Sequence, residues 1–543
     1  MKKYIFSILV SISLVSSGCS ELMDTKPSVD VSSSTILKDV DGLESAINGI
    51  YASMYRRLDY VDANAHQCFG NMAVNLAAEL MGEDMVQIAE GPGWFWKDYT
   101  YQMRSRYASN IWRSYFTWKY FYELINNANS IITASKVAEG DEAKKENILA
   151  QAYAVRAFSY FMLIQSFQQT YIGNTDKPGV PVYTEPTTNS SKGKGRGTVA
   201  QVYEQIDSDL DAALELFTSA GISQQDISYL DYYSASLLKA RVALVKNDWE
   251  SAAKYAEEAM KKPGCSLLSM SDATVVKGQF DSETRNWKTG STPFNSASSS
   301  SVMWGVQIIS EQSTVYASFF SNMDACTNVY YAAESPKCIS NWLYAQIPDS
   351  DIRKGWWNGN IGIGVDEWEY GANINYCQHK FQWKDQKAHT GDYIFMRLEE
   401  AYLIDAEALC RLEKYEEARS ALSELESRRD PKYASRISSL TGNEQTFAST
   451  GTVKTLLDEI LLQRRIELWG EAGRVYDIQR LKKGWTRYWT VNGEPTNHTE
   501  VLSKYSEYLS FPADYIECIM MIPQSEIDIN PSISAEDQNP YRQ

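Results

Sequence analysis

Two stretches decide the fold: YLDYYSASLLKARVALVKNDWESAAKYAEEAMKK, residues 229–262, and YIFMRLEEAYLIDAEALCRLEKYEEARSALSELESRR, residues 393–429. Each reads as two helices with a charged break between them, Lys246-Asn247-Asp248 in the first and Leu412-Glu413-Lys414 in the second. At a constant offset of 166 residues they match position for position. Ala240, Ala243, Trp249, Ala252, Ala256 and Ala259 fall on Ala406, Leu409, Tyr415, Ala418, Leu422 and Leu425. Small residues stand where two helices must approach closely, and an aromatic opens the second helix after the turn. Pro263-Gly264 stops the first pair.

Helix, tight turn, helix, with alanine at the contact, is the tetratricopeptide layout. Neighbouring segments extend the pattern. Asn147 to Phe167 carries Ala152, Val155, Phe158, Phe161 and Ile164 at helical spacing, and Thr198 is an N-cap before Val202, Ile206, Leu210, Ala213, Leu214 and Phe217. Val453 to Lys483 reads as one long helix ended by Gly484. The pairs are separated by an insertion, about 263–392, rich in Gly, Ser, Asn and Trp, with a low-complexity loop at Ser296 to Ser301 and a strand-like run at Val302 to Ile309. The expected fold is mainly α: tetratricopeptide-like helix pairs as scaffold, a long irregular loop-rich face and a few short strands. Loops held by a rigid frame are where binding usually sits.

Working outward to the N-terminus, Lys2 and Lys3 precede an apolar run from Tyr4 to Val15, then Ser16-Ser17-Gly18-Cys19. A basic start, a short apolar core and small residues before a cleavage point make residues 1–18 a bacterial signal peptide. Cys19 directly after the cleavage point resembles a lipobox, so it becomes the lipid-modified first residue. A polar tether, residues 19–34, leads to one domain, 35–543. Several acyl chains anchor a protein stably where one does not.

The chain has 543 residues and net charge −17; losing Lys2 and Lys3 with the leader makes it −19. Such a surface repels nucleic-acid phosphates and anionic headgroups. Seven scattered cysteines remain after Cys19, with no Cys-x-x-Cys pair, which is neither a disulfide framework nor a zinc pattern. Cys326 and Cys338 are the two that an exported protein could join. His66, His379, His389 and His498 have no metal spacing, and no phosphate loop, nucleophile elbow or dinucleotide fingerprint occurs. No metal and no cofactor are assigned. Lys192 to Arg196 reads as a solvated basic loop. Arg464, Glu467, Glu471, Arg474 and Asp477 recur every three or four residues, which suits an ion-pair ladder locking the long helix to its neighbours better than acid–base catalysis.

The ordered motifs resemble the SusD/RagB family of Bacteroidetes surface lipoproteins over nearly the whole chain. The resemblance is carried by Cys19, by Ala152 to Phe161, by Pro178-Gly179-Val180-Pro181 and by Thr198 to Leu210. It continues in Arg397 to Ile404 with Ala406-Glu407-Ala408, in Arg464 to Leu468 with Gly470, Glu471, Arg474, Asp477 and Arg480, and in Ile522-Pro523 to Pro540-Tyr541. Gln463-Arg464-Arg465 stands where a Glu-Arg pair is commoner, and no Gly separates Pro540 from Tyr541. The resemblance implies a lipid-anchored outer-membrane protein at the cell surface. It implies a protein that binds nutrient glycans without catalysis and passes them to a SusC-type TonB-dependent transporter. A peptide-binding RagB-like protein with the same role is an alternative, and a lipid-anchored glycoside hydrolase is another.

The tryptophans bear on the ligand. Trp94, Trp96, Trp287, Trp356, Trp357 and Trp368 sit beside Gly or charges, not in apolar stripes, unlike Trp304 and Trp469, which read as core. Exposed rings of this kind mark a binding surface, and a sugar's C–H face stacks on a flat ring while its hydroxyls need polar neighbours. The competing reading is that the rings cap the loop region's own small core. In the family, glycan sites are built from loop aromatics on one face. The matching loops here are Met85 to Tyr99 and a part of Gln279 to Tyr370. The resemblance therefore implies Trp94, Trp96, Trp287, Trp356 and Trp357 as stacking platforms, with Asp84 and Asn286 as hydroxyl partners.

Overall fold

The computed structural model describes residues 37–540 except 103–110, 189, 282–285, 289, 328–329, 370, 472, 488–489, 492–493 and 503–508, and, in short elements, leaves out the side chains of 62–63, 280–281, 286–288, 327, 330–331, 490–491, 494–495 and 500. The leader, Cys19 and the tether lie outside the described residues.

Among the described residues, the helices of eight residues or more are α1 (Val40–Ser53), α2 (Asn71–Leu80), α3 (Trp112–Ala134), α4 (Glu142–Phe167), α5 (Val199–Ala220), α6 (Tyr232–Val245), α7 (Trp249–Met260), α8 (Leu398–Arg411), α9 (Tyr415–Glu426), α10 (Leu456–Glu467) and α11 (Arg474–Leu481). Side-chain caps set several starts, because the first N–H groups of a helix lack intrahelical acceptors. Asp141 accepts from Lys144 N, Thr198 and Gln201 form a capping box on α5, Asp231 and Ser234 form one on α6, and Asp248 accepts from Ser251 N.

The internal repeat is borne out to the residue: all four boundaries of α6 and α7 recur in α8 and α9 at the 166-residue offset. The turns agree as well, for Asn247 (φ +56°) and Glu413 (φ +62°) both take the left-handed conformation that reverses the chain. From α3 to α9 each helix packs on the next, and α7 packs on α8 across the insertion, so the two pairs stack directly. Ala252, Ala256, Ala259, Ala406 and Ala418 are fully buried at these contacts. Among the described residues the strands form five two-stranded sheets. One pairs Val302–Val306 antiparallel with Tyr393–Arg397 and ties the insertion to the start of α8; the strand-like run therefore ends at Val306, short of Ile309.

The long helix expected over Val453 to Lys483 is two helices. Gly470 (φ +80°) and Gly473 (φ +72°) break it, and a Cβ on Gly470 would lie 2.5 Å from Phe381 Cε2. The charged ladder does lock elements together, but its partners lie on different elements. Arg464 pairs with Asp477 (2.8 Å) and Glu400 (3.4 Å), and Arg480 with Glu407 (2.7 Å). Glu467 takes Arg429 (3.0 Å), Arg397 (3.2 Å) and Arg353 (3.3 Å), while Lys380 reaches Glu471 (2.5 Å). Burial opposes the charge on Glu467, yet Arg429, Arg397 and Arg353 overcome it and hold the carboxyl well below the usual range. The network fastens α8, α10, α11 and the insertion to one another.

Candidate functional site

The early and late loops meet. Met85–Gln87 pairs antiparallel with Lys337–Ile339, and Ile88 N donates to Pro336 O at 3.3 Å. Gln87 Nε2 donates to Trp94 O at 3.1 Å, and Phe95 N to Gln67 Oε1 at 2.8 Å. Arg113 donates to Asp98 at 2.9 Å, buried beneath the same loop. On the other edge, Ile339 N donates to Tyr376 O and Gly371 N to Ala333 O. Segments 85–99, 333–340 and 357–378 thus lie side by side, and the strand Gln279–Asp281 contacts Ala325–Thr327. Asn286 and Trp287 lie on the second strand of that hairpin, Asn286–Lys288; their side chains are outside the described residues.

Most of the expected ligand-contacting side chains point inward. Asp84 is 1% exposed and takes Arg465 at 2.6 Å and Arg474 at 3.1 Å, so its charge is committed to the frame and not to a hydroxyl. Trp356 is 0% exposed, with Nε1 on Ala273 O and Lys380 Nζ 4.9 Å from its ring centre. Trp357 is 3% exposed and meets Trp469 edge-on at 5.5 Å. These rings build the core of the insertion. Trp304 and Trp469 are core, as read from the sequence. Trp96 and Trp94 keep 7% and 8% of their surface. The ring of Trp94 is stacked by His66 at 3.7 Å, and His66 itself is half-buried. Burial, then Arg57 and Arg113, lower its pKa to about 4, so at neutral pH it presents an uncharged flat ring outside Trp94. Sequence reasoning missed this residue, because nothing around a lone histidine marks it as a ring over a tryptophan 28 positions on. Trp368 is half-buried with Nε1 on Gly371 O, and Tyr316 in the insertion is 57% exposed.

A concavity of about 420 Å³ runs along α3. Tyr115, Lys119, Tyr122 and Asn126 lie on one helix face and form its floor, with Tyr183 and Glu526 at its sides. The basic loop beside it is more than a solvated run: Arg196 donates to Gly179 O, Pro178 O, Asp537 O and Asn539 Oδ1 and clamps the C-terminal segment.

Comparison with known proteins gives the following. Residues 24–235 match the family model described as starch-binding associating with outer membrane, and residues 361–541 match the SusD family model. A SusD-like protein P2 of Formosa agariphila is 27% identical over 260 residues, 47% of this chain and 46% of that protein, so the match spans just under half the relative's length. A SusD-like carbohydrate binding protein from Bacteroides vulgatus has the same fold at TM-score 0.68 and 23% identity, covering 92% of this chain and 98% of that one. A SusD superfamily protein from Bacteroides thetaiotaomicron superposes at TM-score 0.70 and 23% identity, covering 92% and 100%.

Proposed function

Because the chain belongs to the SusD family, we propose that it binds oligosaccharide nutrients at the cell surface, without catalysis, and delivers them to a SusC-type TonB-dependent transporter. The observation that carries the reading is the convergence of the early and late loops on one side of a frame fixed by buried ion pairs. His66 over Trp94 and the half-buried Trp368 suit a ligand with apolar C–H faces and many hydroxyls, and Trp287 with Asn286 is the further platform this reading proposes. The outer-membrane association of the first matching family and the lipobox at Cys19 support a lipid-anchored location outside the cell. Glu467 of α10 and Asp477 of α11 are taken up by arginines, which speaks for a binder over a hydrolase.

Rings on an open face stay partly hydrated and hydroxyls must be desolvated, so affinity should be micromolar or weaker, on the order of −8 kcal/mol at best. Calorimetric titration of a glycan and peptide panel tests the reading. At least one oligosaccharide should bind, and His66→Ala or Trp287→Ala should weaken it by about 1–3 kcal/mol. Binding of peptides alone would establish the RagB-like reading instead. Loss of binding in Tyr115→Ala and Tyr183→Ala, with the loop variants unchanged, would move the ligand to the α3 groove.

A further inference from the structure

We propose that Cys338 and Cys377 form a disulfide when the exported protein folds, closing the segment between them beneath the ligand face. The compartment in this inference rests on the surface location proposed above; the geometry does not. Both residues are thiols in this structure, and both are fully buried. They stand opposite each other in an antiparallel pairing. The flanking bonds define the kind of pair: Ile339 N donates to Tyr376 O at 3.0 Å, and Gln378 N to Lys337 O at 3.0 Å. A pair framed by its neighbours' bonds is the non-hydrogen-bonded kind, with Cα atoms about 4.5 Å apart and side chains close together. That separation falls inside the range of roughly 4.4–6.8 Å that a disulfide spans. The Cys377 thiol donates to Gln378 O at 3.7 Å, and the neighbouring Cys338 thiol, with burial, holds the Cys377 pKa well above its ordinary value.

Cys326, the partner the sequence suggested for Cys338, is engaged elsewhere: its Sγ lies 3.3 Å from His379 Nδ1. The step balances as thiol–disulfide exchange. One thiolate attacks a disulfide of an oxidising protein, the second thiolate displaces the mixed disulfide, and the oxidant leaves as two thiols; this chain loses two electrons and two protons. Since both sulfurs end buried, the exchange occurs before the segment closes. Residues 338–377 include Trp368 and the exposed stretch around Ile361, so the crosslink would restrict a segment that carries both.

Trypsin separates the three candidate cysteines into peptides 289–337, 338–353 and 355–380. The full chain is refolded with oxidised and reduced glutathione, or with dithiothreitol, then alkylated and digested without reduction. The glutathione sample should give peptide 338–353 joined to 355–380, about 2 Da below the sum of the free peptides. The same crosslink should appear in protein taken from outer membranes. Dithiothreitol should lower the melting temperature of the oxidised wild type by a few degrees and leave Cys338→Ser/Cys377→Ser unmoved. Two alkylated thiols in folded, glutathione-treated protein, or a crosslink through Cys326, overturns the geometry. A bond in refolded but not in membrane-derived protein overturns the compartment and leaves the glycan reading to its own titration.

Discussion

Lys337 carries an ammonium that is buried, and among the described residues Nζ donates to Ser335, through its carbonyl and hydroxyl. Burial lowers its pKa from 10.5 to about 7. The folded value lies below the unfolded one, so the unfolded chain binds the proton more tightly between those values and stability rises with pH across that window. Lys337→Met removes the buried charge at similar length. It should stabilise the protein by about 1–3 kcal/mol at pH 7 and below, and the gain should vanish near pH 10.5. Urea unfolding at pH 6.5 and pH 9.5 measures the difference; an equal effect at both would place the cost in packing and not in charge. Single residues were also where the sequence was hardest to read. Trp356 and Trp357 follow Arg353-Lys354-Gly355, a texture that suggests exposure. The structure buries Arg353 itself against Asp351, Glu426 and Glu467, so the charges beside the rings are interior as well. A sequence does not show that a charge has a partner 114 residues away.

At the level of elements, the 166-residue repeat was fully legible, because close helix contacts require small residues at fixed spacing. The break between α10 and α11 was not, since the polar and apolar periodicity runs through it and only the positive φ of Gly470 and Gly473 interrupts it. Gly470→Ala would strain the backbone and press a methyl onto Phe381, at a cost of about 2–4 kcal/mol seen as a lower urea midpoint. The buried carboxylates of α10 and α11 make a second test. Glu467→Gln leaves Arg397, Arg429 and Arg353 without their shared counter-charge, and should destabilise by about 3–5 kcal/mol at pH 7. Glu467 and Asp477 have folded pKa values below their unfolded ones. Their stabilisation is present above the ordinary carboxylate range and is lost as pH falls beneath it. Wild-type stability should therefore drop steeply between about pH 4.5 and pH 3, and the drop should be shallower in Glu467→Gln. Parallel acid slopes in the two proteins would contradict the assignment.

On the scale of the whole molecule, a net charge of −17 and a frame of stacked helix pairs carry the proposed ligand face. If Cys19 is the anchor, Cys19→Ala should leave the protein out of the outer-membrane fraction, and fractionation with immunodetection checks it. If the body serves a transporter, mild-detergent purification at low salt should bring down a barrel protein, and recovery of the chain alone would speak against a stable complex. The central claim is that the loop face holds a glycan. Calorimetry of the wild type and of Trp287→Ala against the oligosaccharide picked out by the panel tests it most directly. The account predicts micromolar or weaker binding by the wild type and a loss of about 1–3 kcal/mol in a variant that stays folded. No binding of any glycan by the wild type, or equal binding by both proteins, would contradict it.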